Sequence, residues 1–122
     1  MPNGIYAGGG AGLNTSYRLI SISGGTATIQ AGSKAVLNSY MVAAAAFTLA
    51  IANPKEGGTY VLDITKTVAG DVLITLPVTS SPTTINLVGA VDSLFQLVIT
   101  YDKFDDGIGG TIYRYVVTSF AL

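Results

Sequence analysis

Neither cysteine nor histidine occurs in the 122 residues. The first absence removes disulfides, thiol nucleophiles and cysteine-based zinc sites; the second removes the usual general base and the commonest metal ligand. Most catalytic constellations are therefore excluded, and the chain reads as non-enzymatic, with no cofactor. Charge is scarce as well. Charged residues make up 11% of the chain, against about 25% in an ordinary domain. The six basic residues are scattered and the formal net charge is −1, which argues against a nucleic-acid footprint. Long apolar runs are missing too. The longest, Met41 to Ala52, is diluted by alanines and continues into a turn. It is too short for a membrane-spanning helix, so no membrane partner is expected. The N-terminus has neither the basic nor the apolar region of a secretory signal.

What is present is apolar surface without much charge to balance it. The length fits one domain, which removes roughly two thirds of its unfolded surface from water on folding. Hydrophobic residues nevertheless reach 49% and mean hydropathy is +0.54. This is more than one small fold hides, and it points to packing against other copies or a larger assembly.

Runs alternating at period two dominate from Ser16 onward and predict strands. Tyr17–Ser23 and Thr26–Gln30 are joined by Gly24-Gly25, which suits a two-residue hairpin needing positive φ. Lys34–Leu37 reads as a short strand. Asn38–Ala46 fits either a helical turn or a small-residue strand, because Ala43–Ala46 favour helix in a run too short to stand alone. Phe47–Ala52, Thr59–Lys66 and Val72–Leu76, separated by turn residues, predict three consecutive antiparallel strands. Thr79-Ser80-Ser81-Pro82 is a turn. Thr83–Val88, Ser93–Tyr101 and Thr111–Phe120 are further strands, and the last is apolar on both faces, as at a subunit seam. The expectation is all-β: an antiparallel β-sandwich or jelly roll of about eight to nine strands over residues 16–122. Residues 1–15 carry Gly4, Gly8, Gly9, Gly10 and Gly12 and read as a flexible arm. Its role is either a loose terminus or an attachment strap anchored by Ile5, Tyr6 and Leu13. No Lys-Ser or Lys-Thr follows the glycines, so a phosphate cradle is not expected.

Candidate chemistry is thin. Asp102, Asp105 and Asp106 beside Gly107 form one acidic cluster in a polar loop over 102–110, but Phe104 occupies a position that an EF-hand type calcium loop gives to an oxygen ligand. The bland reading is a hairpin tip with Asp-Gly turn chemistry. Glu56, Asp63 and Asp71 fall on turns or strands and read as surface carboxylates rather than a catalytic pair. Ser33 and Lys34, neighbours on an expected strand, point to opposite faces and form no dyad. Asn14-Thr15-Ser16 matches a glycosylation sequon by spacing alone. Tyr101, Phe104 and Tyr113 flank the acidic loop and, with Asp105 and Asp106, are the candidate ligand-binding set. The competing reading is aromatic packing in a core or interface.

The string from Ala46 to Ile64, with Phe47-Thr48-Leu49 and Gly57-Gly58-Thr59-Tyr60, followed by Leu76-Pro77 and by Val91-Asp92 leading into Ser93–Tyr101, resembles a β-sandwich module of tailed-phage virion proteins. Thr65-Lys66-Thr67 stands where such modules often carry a Gln-Asp pair. The resemblance implies a structural protein located in the virion, a homotrimeric capsid decoration or head-fibre protein whose partners are its own copies and the major capsid protein. It equally allows a receptor- or carbohydrate-binding module at a fibre tip.

Overall fold

The computed structural model describes residues 17–122. Eleven strands follow in order: β1 (Tyr17–Leu19), β2 (Ile22–Ser23), β3 (Thr26–Gln30), β4 (Val36–Ala43), β5 (Phe47–Ala52), β6 (Gly58–Lys66), β7 (Val72–Thr75), β8 (Ser80–Ser81), β9 (Thr84–Leu87), β10 (Ser93–Asp105) and β11 (Thr111–Ala121). No helix occurs among the described residues. A six-stranded sheet has the order β1-β4-β6-β10-β11-β8, and a five-stranded sheet has the order β2-β3-β5-β7-β9.

Period-two alternation decides what is buried. On β4, Leu37, Ser39, Met41 and Ala43 point inward while Val36, Asn38, Tyr40 and Val42 point out. On β6 every second residue from Gly58 to Lys66 is buried. Ile29, Phe47, Leu49, Val72 and Ile74 from the five-stranded sheet join Leu37, Met41, Leu62, Leu97 and Ile99 from the six-stranded sheet in a single core.

From β3 to β7 the chain crosses between the sheets at every step. Same-sheet neighbours are therefore two strands apart in sequence and run parallel: β3 with β5, β4 with β6, β5 with β7. Tyr17 pairs with Asn38, which pairs in turn with Val61. The winding resembles a flattened coil. This overturns the expected antiparallel meander of β5, β6 and β7, because β6 lies in the opposite sheet from the other two. The alternation specified inward faces correctly, but a strand that crosses the core buries the same side chains as one that folds back beside its predecessor. Antiparallel pairing occurs in β2–β3, β7–β9, β6–β10 and β10–β11, so both sheets are mixed rather than antiparallel, and the strands number eleven rather than eight or nine.

Local expectations fared unevenly. The Gly24-Gly25 hairpin is present, with φ of 59° and 80° between the paired Ser23 and Thr26. Asn38–Ala43 is strand and the helical alternative falls. Ser33 (φ 60°) and Lys34 lie in the connection before β4, not on a strand. Ser80–Ser81, expected as turn, bridges β11 in parallel. β10 runs on to Asp105, shortening the acidic loop to 106–110. On β11, Tyr115 and Val117 are buried and Ile112, Val116 and Phe120 are exposed, so within this chain β11 is covered on one side only.

Two internal polar groups tie connections together. The buried Tyr60 hydroxyl donates to the Lys34 carbonyl oxygen (2.8 Å) and accepts from the Lys55 amide (2.8 Å). Gly58 leaves room for this arrangement, since a Cβ there would sit 2.8 Å from the Lys55 carbonyl oxygen and against the Tyr60 hydroxyl. Lys66 is fully buried and its ammonium donates to the Val68 and Gly89 carbonyl oxygens.

Candidate interaction surfaces

Strand β10 pairs with β6 only as far as Tyr101↔Gly58, while its pairing with β11 continues to Asp105↔Thr111. The end of this hairpin is thus a two-stranded ribbon standing beyond the sheet. Residue parity sorts its side chains. Tyr101 stacks on Tyr113 (centroids 5.6 Å, planes at 16°) and meets Tyr115 at 4.8 Å, with the Lys103 ammonium 6.0 Å from the Tyr113 ring. Phe104, opposite Ile112, lies on the other face under the Arg114 guanidinium at 5.2 Å. Burial, and then the neighbouring Tyr101 and Tyr60, push the Tyr115 hydroxyl above its ordinary pKa.

The five candidate ligand residues are therefore not gathered on one surface. Tyr101 and Tyr113 share a face and Phe104 occupies the opposite one. Asp105 accepts from the Gly107 amide (2.9 Å) and Asp106 accepts from the Ile108 and Gly110 amides (2.9 Å each). Those amides hold the Asp106 carboxyl below its usual range, Ile108 foremost. Both carboxylates serve as turn formers for the tip. Among the described residues no group of three or more acidic side chains is placed to hold a metal ion. The strap residues Ile5, Tyr6 and Leu13 and the sequon at Asn14 lie outside the described residues.

The other carboxylates are dispersed. Glu56 meets Lys103 at 4.0 Å in solvent, a pairing worth little. Asp71 accepts from the Asn86 side chain (3.1 Å). Asp63 is half-buried on the outer face of β6.

The two outer sheet faces differ sharply. On the five-stranded sheet, Thr26, Thr48, Thr75 and Thr84 lie in register across four strands, a hydroxyl row suited to water. On the six-stranded sheet, Tyr17, Leu19, Val36, Tyr40, Val42, Leu94, Val116, Phe120 and Leu122 are all exposed. Across the outward positions of β4, of β6, of β10 up to Thr100 and of β11 from Val116, Asp63 alone is ionised. Parallel register sets Leu19 against Tyr40 and Tyr40 against Asp63. The Tyr17 and Tyr40 rings stack (4.5 Å, 21°). Asp63 accepts from the Tyr17 hydroxyl (2.8 Å) and the Gln96 amide (3.0 Å). Partial desolvation, then the hydrogen bond to Asp63 and its charge, push the Tyr17 hydroxyl up to about 12.

Comparison with protein families, curated proteins and solved structures finds no match to this chain.

Proposed function

We propose that the protein is a non-enzymatic structural subunit of a bacteriophage particle, a trimeric capsid decoration or head-fibre protein built as a β-sandwich module. Assembly uses the outer face of the six-stranded sheet. One observation carries this reading: that face gathers large exposed apolar side chains with a single ionised one among them over four strands, while the opposite outer face, equally poor in charge, is lined mainly with threonine and exposes Leu73. Soluble monomers seldom expose contiguous apolar patches above a few hundred Å², and charge-depleted, aromatic-bearing surfaces are what interface centres look like. The likeness of Phe47–Ile64 and Val91–Tyr101 to tailed-phage virion modules supplies the virion setting and the threefold expectation.

Sedimentation at micromolar concentration tests it. The wild-type chain is expected as a trimer, and the double variant Val98→Asp/Phe120→Asp as a folded monomer. A wild-type monomer, or a variant that still trimerises, contradicts the reading.

A second reading is favoured by the ribbon. The exposed Tyr113 ring, on the hairpin end and backed by the half-buried Tyr101, offers a flat aromatic face of the kind that packs on sugar rings, and makes the protein a receptor- or carbohydrate-binding module at a fibre tip.

A further inference from the structure

Among the described residues, the apolar outer face of the six-stranded sheet holds a pocket of about 180 Å³. Its walls follow from register. Tyr17 and Tyr40 stand on the β1–β4 side, Leu94 and Leu122 on the β10–β11 side, and Asp63 and Thr65 belong to the strand between. The space holds several waters, enough for one long side chain.

Its electrostatics select the sign of the guest. Among the described residues, Asp63 carries the only acidic or basic side chain in the lining. Its two hydrogen bonds come from neutral donors, Tyr17 and Gln96, and the one ion pair among the described residues is Lys103–Glu56, elsewhere on the molecule. A carboxylate has about four acceptor positions, so one on each oxygen stays available here. A half-buried carboxylate with apolar walls and no counter-cation gains most from a cationic partner that brings its own apolar stem. The stacked tyrosine pair adds ring faces attractive to a cation. Between the two basic side chains, the planar guanidinium suits this set better, because it can bridge both carboxylate oxygens while lying flat on an aromatic ring.

We infer that this pocket receives a single arginine side chain presented by a partner protein, with Asp63 as its counter-charge and Tyr17 and Tyr40 as its stacking wall. The inference rests on the docking role of this sheet face, and it assigns to that face a partner chemistry beyond apolar contact.

N-acetyl-arginine methylamide, titrated into the full chain under NMR observation, tests the pocket. Saturable shifts are expected at Tyr40, Val42, Asp63 and Leu94. The neutral citrulline counterpart is expected to bind about tenfold or more weakly, as is arginine to Asp63→Asn, since a charge-assisted hydrogen bond is lost in each case. Leu94→Trp, which fills the pocket and keeps the carboxylate, is expected to abolish the shifts, so the test does not depend on one variant folding. Absence of localised shifts overturns the inference. Equal binding of citrulline, equal binding of the lysine counterpart, or undiminished binding by Asp63→Asn also overturns it. Assembly covers this same face, so the titration is run at a dilution where sedimentation shows the chain as a monomer; a failure there counts against the pocket and is separable from a failure of the assembly reading.

Discussion

Lys66 carries its ammonium inside the fold, at the end of β6, where it bridges the connections on either side through the Val68 and Gly89 carbonyl oxygens. Among the described residues its contacts include no ion pair. Its contribution is thus to saturate two loop carbonyls and fill volume. Lys66→Ala removes both functions and is expected to cost about 2–4 kcal/mol of stability, combining a cavity with unsatisfied acceptors. Lys66→Met keeps most of the volume and sheds the buried charge, so it is expected to cost less. Urea denaturation of the two variants checks the order; equal losses would mean that volume is irrelevant at this position. Tyr17 makes a prediction about pH. Its folded pKa of about 12 lies above the ordinary 10.0, so the folded state favours the protonated hydroxyl. That stabilisation is complete below pH 10 and is lost as pH rises towards 12. Tyr17→Phe removes this component, and its melting temperature is expected to fall less than that of the wild type over the same interval. Parallel declines would show that the Tyr17–Asp63 bond does not favour the folded state.

The elements show which information is local. Gly24-Gly25 encodes its hairpin because both residues must adopt positive φ, and nothing distant is needed to satisfy that demand. Alternation in β6 and β10 likewise marks Leu62, Ile64, Leu97 and Ile99 as core. Neighbour choice is different in kind. Phe47, Leu49, Val72 and Ile74 have the same inward pattern whether β6 lies between their strands or across the core, and only the closing of the whole coil separates the two. The ribbon was legible in part: parity alone puts Tyr101 and Tyr113 on one face and Phe104 on the other. Asp105 and Asp106 were legible as turn residues, while the pocket at Asp63 was not. Tyr17, Tyr40 and Asp63 meet only through parallel pairings between strands a full circuit apart. Because residues 102–114 pair only within their own hairpin, Tyr113→Ala is expected to shift stability by no more than about 1 kcal/mol, consistent with loss of one aromatic stack. If the ribbon binds sugar, the same variant loses glycan binding. Retained binding, or a collapse of the fold, would remove the ribbon from consideration as a separate binding element.

At the scale of the molecule, charge is scarce on the outer faces of both sheets, but exposed apolar side chains are distributed unevenly between them. The five-stranded sheet meets its surroundings with threonine rows. The six-stranded sheet presents Tyr17, Leu19, Tyr40, Val42, Leu94, Phe120 and Leu122. A single chain that hid its apolar side chains equally on all sides would show no such contrast. The absence of native cysteine makes the contrast directly measurable, since single cysteines at Thr118, on the outer face of the six-stranded sheet, and at Thr48, on the outer face of the five-stranded sheet, each give one modifiable thiol. In the assembled protein at micromolar concentration, Thr118→Cys is expected to react far more slowly than Thr48→Cys with a soluble thiol reagent, and the two rates are expected to converge when the assembly is diluted apart. Equal rates under assembling conditions would contradict the assignment of the six-stranded face as the surface that neighbours cover.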